Sequence, residues 1–342
     1  MTAVTTLSAD VGGTKTLLRL SRFSSPTSVE LLAEERYISA EWAGLAELVS
    51  HFLSSAAIDD DRKRPTAACF AIAGPIEDHT SYRTARLTNL DWLLDSRQLC
   101  PHLSSERILI INDFEAIGYA VNQLAEAGLH TLQPGRPVSG SLAVVAGAGT
   151  GLGVSILLPE EGDYRPSATE GGHVDFAPTD EIQVALLHFL QQRFSRVSTE
   201  RLLSGAGLAS LVEFISLHRP TPSPLASLID NGEDPAAVIT QAAIEHNDPF
   251  ALEVTDLFCK LYGAFAGNLA LTTLPFGGLF LAGGIAPKIL PLLKRPPFLE
   301  AFHDKGRMEP LLHNVPVHVI QDPKAGLLGA EQAALRLART FA

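Results

Sequence analysis

The chain is poor in cysteine, carries no surplus of positive charge and holds no long apolar run. Its three cysteines, Cys69, Cys100 and Cys259, are widely scattered. They form no C-x-x-C pair, and their odd number suits free thiols in a reducing compartment. Cys69 lies in an apolar stretch and is expected to serve packing. Lys and Arg number 26 against 38 Asp and Glu, a net charge of -12, so no basic field draws in a nucleic acid. The apolar stretch Gly277 to Ile285 is too short and too rich in glycine to span a membrane. Met1-Thr2-Ala3-Val4 opens the chain without a basic region or a long apolar segment, so no signal peptide is expected and the cytoplasm is the expected compartment. Low-complexity segments and coiled-coil repeats are also lacking.

What is present is core-forming material for about two domains: 342 residues, 46% hydrophobic and 19% charged. Apolar strands alternate with helical spacing, which argues for an α/β protein. Strands are expected at Thr5 to Ala9, Leu17 to Leu20, Val29 to Ile38 and Ala67 to Ala73, with a helix at Leu45 to Ala56. Ile108 to Ile111 is a further buried strand, and it stops on Asn112 and Asp113 before a helical stretch, Glu115 to Leu124. Polar side chains at the carboxyl end of a strand in an α/β protein face the crevice where ligands bind. Asn112 offers a donor and an acceptor, and ionised Asp113 accepts only. The pair suits a hydroxylated substrate, with Asp113 placed to take a proton from an attacking hydroxyl. A plain N-cap role for Asp113 is the alternative.

Two strand–glycine turn–strand units stand out. In the first, Asp10-Val11-Gly12-Gly13-Thr14 joins two strands; Gly12 and Gly13 permit positive φ and close approach of a ligand to backbone N–H groups. Such a nest binds phosphate, Thr14 adds a hydroxyl, and Asp10 is suited to a hydrated magnesium ion. In the second, Leu142 to Ala146 runs into Gly147-Ala148-Gly149-Thr150-Gly151-Leu152-Gly153 and leaves as the strand Val154 to Leu158. Neither unit fits a P-loop or a dinucleotide fingerprint. Either one alone is also compatible with an ordinary turn. Together they suggest two similar domains that clasp a nucleotide.

Further along, Glu170 and His173 flank two glycines and point to a ligand, although a core histidine remains the bland alternative. Glu200 opens a helical stretch and is either functional or simply an acid favoured by a helix dipole. The glycine turn Gly283-Gly284 follows the strand Gly277 to Ala282 and is either a plain strand–helix turn or a close contact for a flat uncharged surface such as adenine. Asn89 is a weaker candidate for the crevice. A long buried helix is expected over Pro249 to Leu274, a mobile surface loop over His218 to Pro235, a last strand over Val315 to Ile320 and a terminal helix over Ala325 to Phe341.

Six motifs in order, at Asp10 to Thr14, Ile111 to Phe114, Gly147 to Gly153, Glu170 to Phe176, Glu200 to Gly205 and Ala282 to Ile285, make the chain resemble the bacterial glucokinases. The resemblance implies an α/β protein of the two-domain actin-like ATPase (ribonuclease H-like) fold, with a cleft between a small domain, 1–111 plus 325–342, and a large domain, 112–324. It implies ATP-dependent phosphorylation of glucose to glucose 6-phosphate, the entry of glucose into glycolysis, with ATP and Mg2+ required. Asn112, Asp113, Glu170, His173 and Glu200 would hold glucose, with Asp113 the general base. Asp10, Gly12, Gly13, Thr14, Thr150 and Gly151 would line the triphosphate, and Gly283 and Gly284 the adenosine side. Lys15 stands where close relatives often carry Asn, so it is given no role. A homodimer is expected, with no membrane or nucleic-acid partner. The related ROK sugar kinases and repressors usually carry a cysteine-rich zinc motif after the Glu-x-x-His segment; no cysteine follows His173 here, so no protein-bound metal is expected. A sugar sensor on the same fold would need neither base nor triphosphate turns, and an actin-like ATPase would have a protein partner.

Overall fold

The hairpin expected at Asp10 forms between β1 (Val4–Val11) and β2 (Lys15–Phe23), which pair antiparallel from Val4–Phe23 to Val11–Thr16. The computed structural model describes residues 3–25, 28–56, 64–80, 82–87, 90–103, 105–219, 223, 225 and 234–340. Strand β3 (Val29–Ile38) follows on β2, and helix α1 (Leu45–Ser55) buries Leu45, Leu48, Val49 and Phe52, the i, i+3, i+4, i+7 face that its sequence spells out. Strand β4 (Ala67–Ile72) is buried at every position, as a central parallel strand covered on both faces should be. A small sheet of β5 (Ile76–Asp78), β6 (Arg83–Arg86) and β7 (Leu93–Asp95) comes next, then α2 (Ser96–Leu103), β8 (Ile108–Asn112) and α3 (Asp113–Ala120).

The second half opens with β9 (Leu129–Gln133), inside a stretch whose prolines and glycines suggest only turns. Strand β10 (Ala143–Ala148) and β11 (Leu152–Glu160) form the second expected hairpin, and β12 (Asp163–Thr169) adds to it. Helices α4 (Glu181–Gln191), α5 (Gly205–His218), α6 (Pro235–His246) and α7 (Pro249–Thr273) follow. Asp248 caps α7 by accepting from the N–H groups of Phe250 and Ala251, both at 2.9 Å, with Pro249 at the first helical position. This helix is buried around most of its circumference. The chain ends with β13 (Gly278–Ala282), α8 (Pro296–His303), β14 (Val317–Ile320) and α9 (Ala325–Arg339). The stretch 218–235, expected to be a loop, lies mostly outside the described residues.

Two compact units result. Unit 1 comprises Met1–Leu124, Tyr164–Pro166 and Asp322–Ala342; unit 2 comprises Ala125–Asp163 and Ser167–Gln321. The expected division placed the junction before Asn112, whereas helix α3 falls in unit 1, where Gly329 of α9 lies against the carbonyl of Ala116. Unit 1 holds the sheet β3-β2-β1-β4-β8, with β1, β4 and β8 parallel. Helix α9 is tied to that sheet by Glu331, which accepts from Ser21 and from Arg19, while Arg19 also pairs with Glu34 at 2.6 Å. Unit 2 holds the sheet β12-β11-β10-β13-β14-β9, with β10, β13 and β14 parallel. Both sheets therefore contain one pattern: three sequential strands, the first of which continues into two parallel neighbours.

Candidate active site

In unit 1 the site is a sheet edge. Register pairs Asp10 with Ala71 and Ile72 with Asn112, so the carboxyl ends of β1, β4 and β8 finish side by side. The side chain of Asn112 accepts from the Phe114 N–H at 2.8 Å, making Asn112 the N-cap of α3. The capping role open to Asp113 thus falls mainly to its neighbour. Asp113 opens the helix, and its Oδ1 shares the same N–H at 2.9 Å. Burial pushes the Asp113 carboxyl up to about 6; the backbone N–H of Phe114 and the Asn112 side chain pull down, and the nearby charge of Asp10 pushes up. Burial also raises Asp10, against the pull of Lys15. Lys15, given no role by its sequence position, therefore does act on the site electrostatically.

The turn beside Asp10 is held from behind. Gly12 N–H donates to the Lys15 carbonyl at 3.0 Å, Ser39 Oγ donates to the Gly12 carbonyl at 2.7 Å, and Ser39 N–H donates to the Thr14 carbonyl at 3.1 Å. Neither Gly12 nor Gly13 has a positive φ, so the turn does not use the conformational freedom expected of it. Thr14 stands exposed at the tip. Ser39 is a residue that sequence reasoning misses. It is a fully buried serine 27 residues beyond Gly12, and no local pattern links the two.

In unit 2 the second turn is built alike. Gly149 N–H donates to the Gly151 carbonyl at 2.8 Å, and the exposed Thr150 lies between them. Two groups brace this turn. Gly205 N–H donates to the Gly149 carbonyl at 2.9 Å, and Leu152 N–H donates to Glu200 Oε2 at 2.9 Å. Ser204 caps α5 by accepting from the Gly207 N–H at 3.1 Å, which fixes Gly205 at the helix start. The serine before the apolar positions Leu208, Leu211 and Val212 was the available signal for this helix; the surrounding glycines obscured it. Gly283 has φ +81 and, with the exposed Gly284, borders the same turn, where Ile285 N–H donates to the Ala148 carbonyl at 3.1 Å.

Glu170, His173 and Glu200 come together. His173 Nε2 lies 3.8 Å from Glu170 Oε2, and His173 Nδ1 lies 3.8 Å from Glu200 Oε1. The His173 side chain is 54% exposed, which rules out the core histidine. Glu200 does sit in the first turn of a short 3-10 helix, Thr199–Arg201, but its carboxylate bonds to another strand. The glycine at 172 answers to packing: a Cβ there would collide with the Leu152 carbonyl, so the turn Gly171–His173 is pressed onto β11. Unit 1 thus gathers Asp10, Gly12, Gly13, Thr14, Asn112 and Asp113, and unit 2 gathers Thr150, Gly151, Glu170, His173, Glu200, Gly283 and Gly284. Asn89 lies outside the described residues. Among the described residues no helix is long and apolar enough to cross a membrane.

A family model described as glucokinase matches residues 7–337. The glucokinase of Trichormus variabilis is 42% identical over 345 residues, covering 97% of this chain and 99% of its own. That of Photorhabdus laumondii is 37% identical over 326 residues and covers 95% of each chain. Among solved structures, a glucokinase from an Antarctic psychrotroph superposes with a TM-score of 0.82 at 28% identity, covering 98% of this chain and 99% of that one. A ROK-family glucokinase from Streptomyces griseus, solved with glucose and AMPPNP, shares the fold at a TM-score of 0.62 and 19% identity, covering 97% of this chain and 99% of that one.

Proposed function

The chain belongs to the glucokinase family, and on that premise we propose how its own residues carry out the ATP-dependent phosphorylation of glucose. The fold is read as the two-domain actin-like ATPase (ribonuclease H-like) type, each unit being one domain. The support is the strand pattern that the two sheets repeat, each opening on a hairpin with glycine and threonine at its tip.

Glucose is assigned to Asn112, Asp113, Glu170, His173 and Glu200. The observation that carries this is the Asp113 carboxyl, held at a strand end with a pKa pushed to about 6 while Asn112 does the capping. A base titrating just below neutrality is largely ionised at pH 7 and still basic enough to take up a proton. The 6-hydroxyl oxygen attacks the γ-phosphorus, the bond to the leaving ADP oxygen breaks, and the hydroxyl proton passes to Asp113. Such transfer depends chiefly on positioning and on charge stabilisation. The turns that carry Gly12, Gly13, Thr14, Thr150 and Gly151 are assigned to the triphosphate, although the Gly12 N–H is itself engaged by the Lys15 carbonyl, and Gly283 and Gly284 are assigned to the adenosine side.

Asp10 fits a hydrated Mg2+. Its carboxylate is a hard oxygen donor that forms no hydrogen bond among the described residues, beside a turn assigned to phosphate. When bound, the ion would neutralise phosphate charge. A homodimer is proposed on the family resemblance, and a cytoplasmic site on the free thiols of Cys69, Cys100 and Cys259. The test is phosphorus NMR of a reaction with glucose and with 6-deoxyglucose. Glucose should yield a 6-phosphate. The 6-deoxy sugar should bind competitively and yield nothing, whereas a phosphorylated 6-deoxy product would overturn the assignment.

A further inference from the structure

Glu200 faces two different groups with its two carboxylate oxygens. Its Oε2 accepts the Leu152 N–H at 2.9 Å, at the exit of the Gly149-Thr150-Gly151 turn, and its Oε1 lies 3.8 Å from His173 Nδ1. The fit on the turn side is close: a Cβ at Gly151 would lie 2.6 Å from Oε2. The backbone around Glu200 is itself fixed. Its carbonyl accepts from Ser204 Oγ at 2.9 Å, and Gly205 N–H closes the other side of the turn on the Gly149 carbonyl at 2.9 Å. Glu170, the other carboxylate beside His173, is 82% exposed and forms no hydrogen bond to the turn among the described residues.

From this we infer that Glu200 is a coupling residue: one carboxylate oxygen senses the sugar while the other sets the phosphate-binding turn, so that glucose raises the affinity for ATP. The inference rests on the assignment of sugar and triphosphate proposed above. An isolated Glu side chain has several rotamers. A sugar hydroxyl donating to Oε1 fixes one of them and with it the acceptor that holds Leu152. The charge-assisted bond to a backbone N–H is stronger than a neutral one, so the turn follows the carboxylate. ATP then meets a turn that is already ordered, and the linkage is reciprocal.

Calorimetric titration of AMPPNP with Mg2+, with and without saturating glucose, tests this on the full chain. In the wild-type protein glucose should tighten AMPPNP by about fivefold or more. Glu200→Gln keeps the shape but replaces one acceptor by a donor, and the ratio should fall to about one even when glucose is raised to saturate the variant. Gly151→Ala, which pushes the carboxylate away from the turn without changing any charge, should collapse the ratio likewise. Glu170→Gln should weaken glucose binding and keep the wild-type ratio. An unchanged ratio in a folded Glu200→Gln, or equal loss in Glu170→Gln, would overturn the coupling role. A wild-type protein that binds glucose and AMPPNP independently would overturn it as well. Failure to bind glucose at all would instead refute the functional assignment beneath it.

Discussion

Asp10 and Asp113 stand at the carboxyl ends of β1 and β8, separated by β4, and the charge of Asp10 raises the pKa of Asp113. The relationship predicts a pH profile. As the proposed base Asp113 must be a carboxylate, and burial pushes its carboxyl up to about 6. The rate should therefore be flat above neutrality and fall below pH 6, approaching tenfold per unit, as the base is protonated. Asp10→Asn removes the repelling charge and should move the acid limb of kcat/KM downward. An acid limb that stays in place in that variant would show that Asp10 does not act on the base.

The same shift makes a statement about stability. In the folded chain Asp113 holds its proton up to about 6, against 3.8 for the unfolded group. Between those values the folded state binds more protons, so its stability falls as pH rises. Above pH 6 the full cost is present, on the order of 3 kcal/mol at one pKa unit per 1.36 kcal/mol. Asp113→Asn keeps an oxygen acceptor for the Phe114 N–H and removes that cost. Scanning calorimetry should find the variant more stable than wild type at pH 7.5, with the difference vanishing below about pH 4.

Glu170→Gln and His173→Ala should raise KM for glucose far more than KM for ATP. A lost hydrogen bond between a sugar hydroxyl and a charged group costs about 1.5–3 kcal/mol, or roughly tenfold to a hundredfold in affinity. Initial rates with each substrate varied would measure the split, and equal losses for both substrates would count against a sugar role.

Packing distinguishes two glycines. A Cβ at Gly172 collides with the Leu152 carbonyl, whereas one at Gly284 meets nothing within 4 Å. Gly172→Ala should cost about 1–3 kcal/mol in denaturant unfolding and weaken glucose binding. Gly284→Ala should stay within about half a kcal/mol of wild type. Equal effects would mean that the turn at 171–173 is not pressed onto β11 in solution.

Much of this was legible from residues alone, and what was hidden has physical reasons. The hairpins at Asp10 and Gly147 announce themselves because strand, glycine turn and strand follow one another directly. Helix α7 is equally plain, with Asp248 and Pro249 marking its start. The β5–β7 sheet was not legible. Its strands are three or four residues long and are held by ion pairs such as Arg83 with Asp78 at 2.5 Å, which leave no hydrophobic period. Strand β9 is defined by its partner β14, almost 190 residues away, and not by its own residues. At the site, residue types suited to a ligand could be picked out, because carboxylates and histidine beside glycines are chemically conspicuous. The residues that hold the turns, Ser39 behind the first and Gly205 beside the second, act through long-range hydrogen bonds that no local pattern encodes.

Single-turnover quenched-flow kinetics on Asp113→Asn tests the assignment of the base most directly. With glucose and MgATP saturating and protein in excess of ATP, the account predicts that glucose 6-phosphate forms at least about a hundredfold more slowly than in wild type. Glucose affinity, measured separately by calorimetry, should change little. Formation of glucose 6-phosphate at the wild-type rate by a variant that lacks the carboxylate would contradict it.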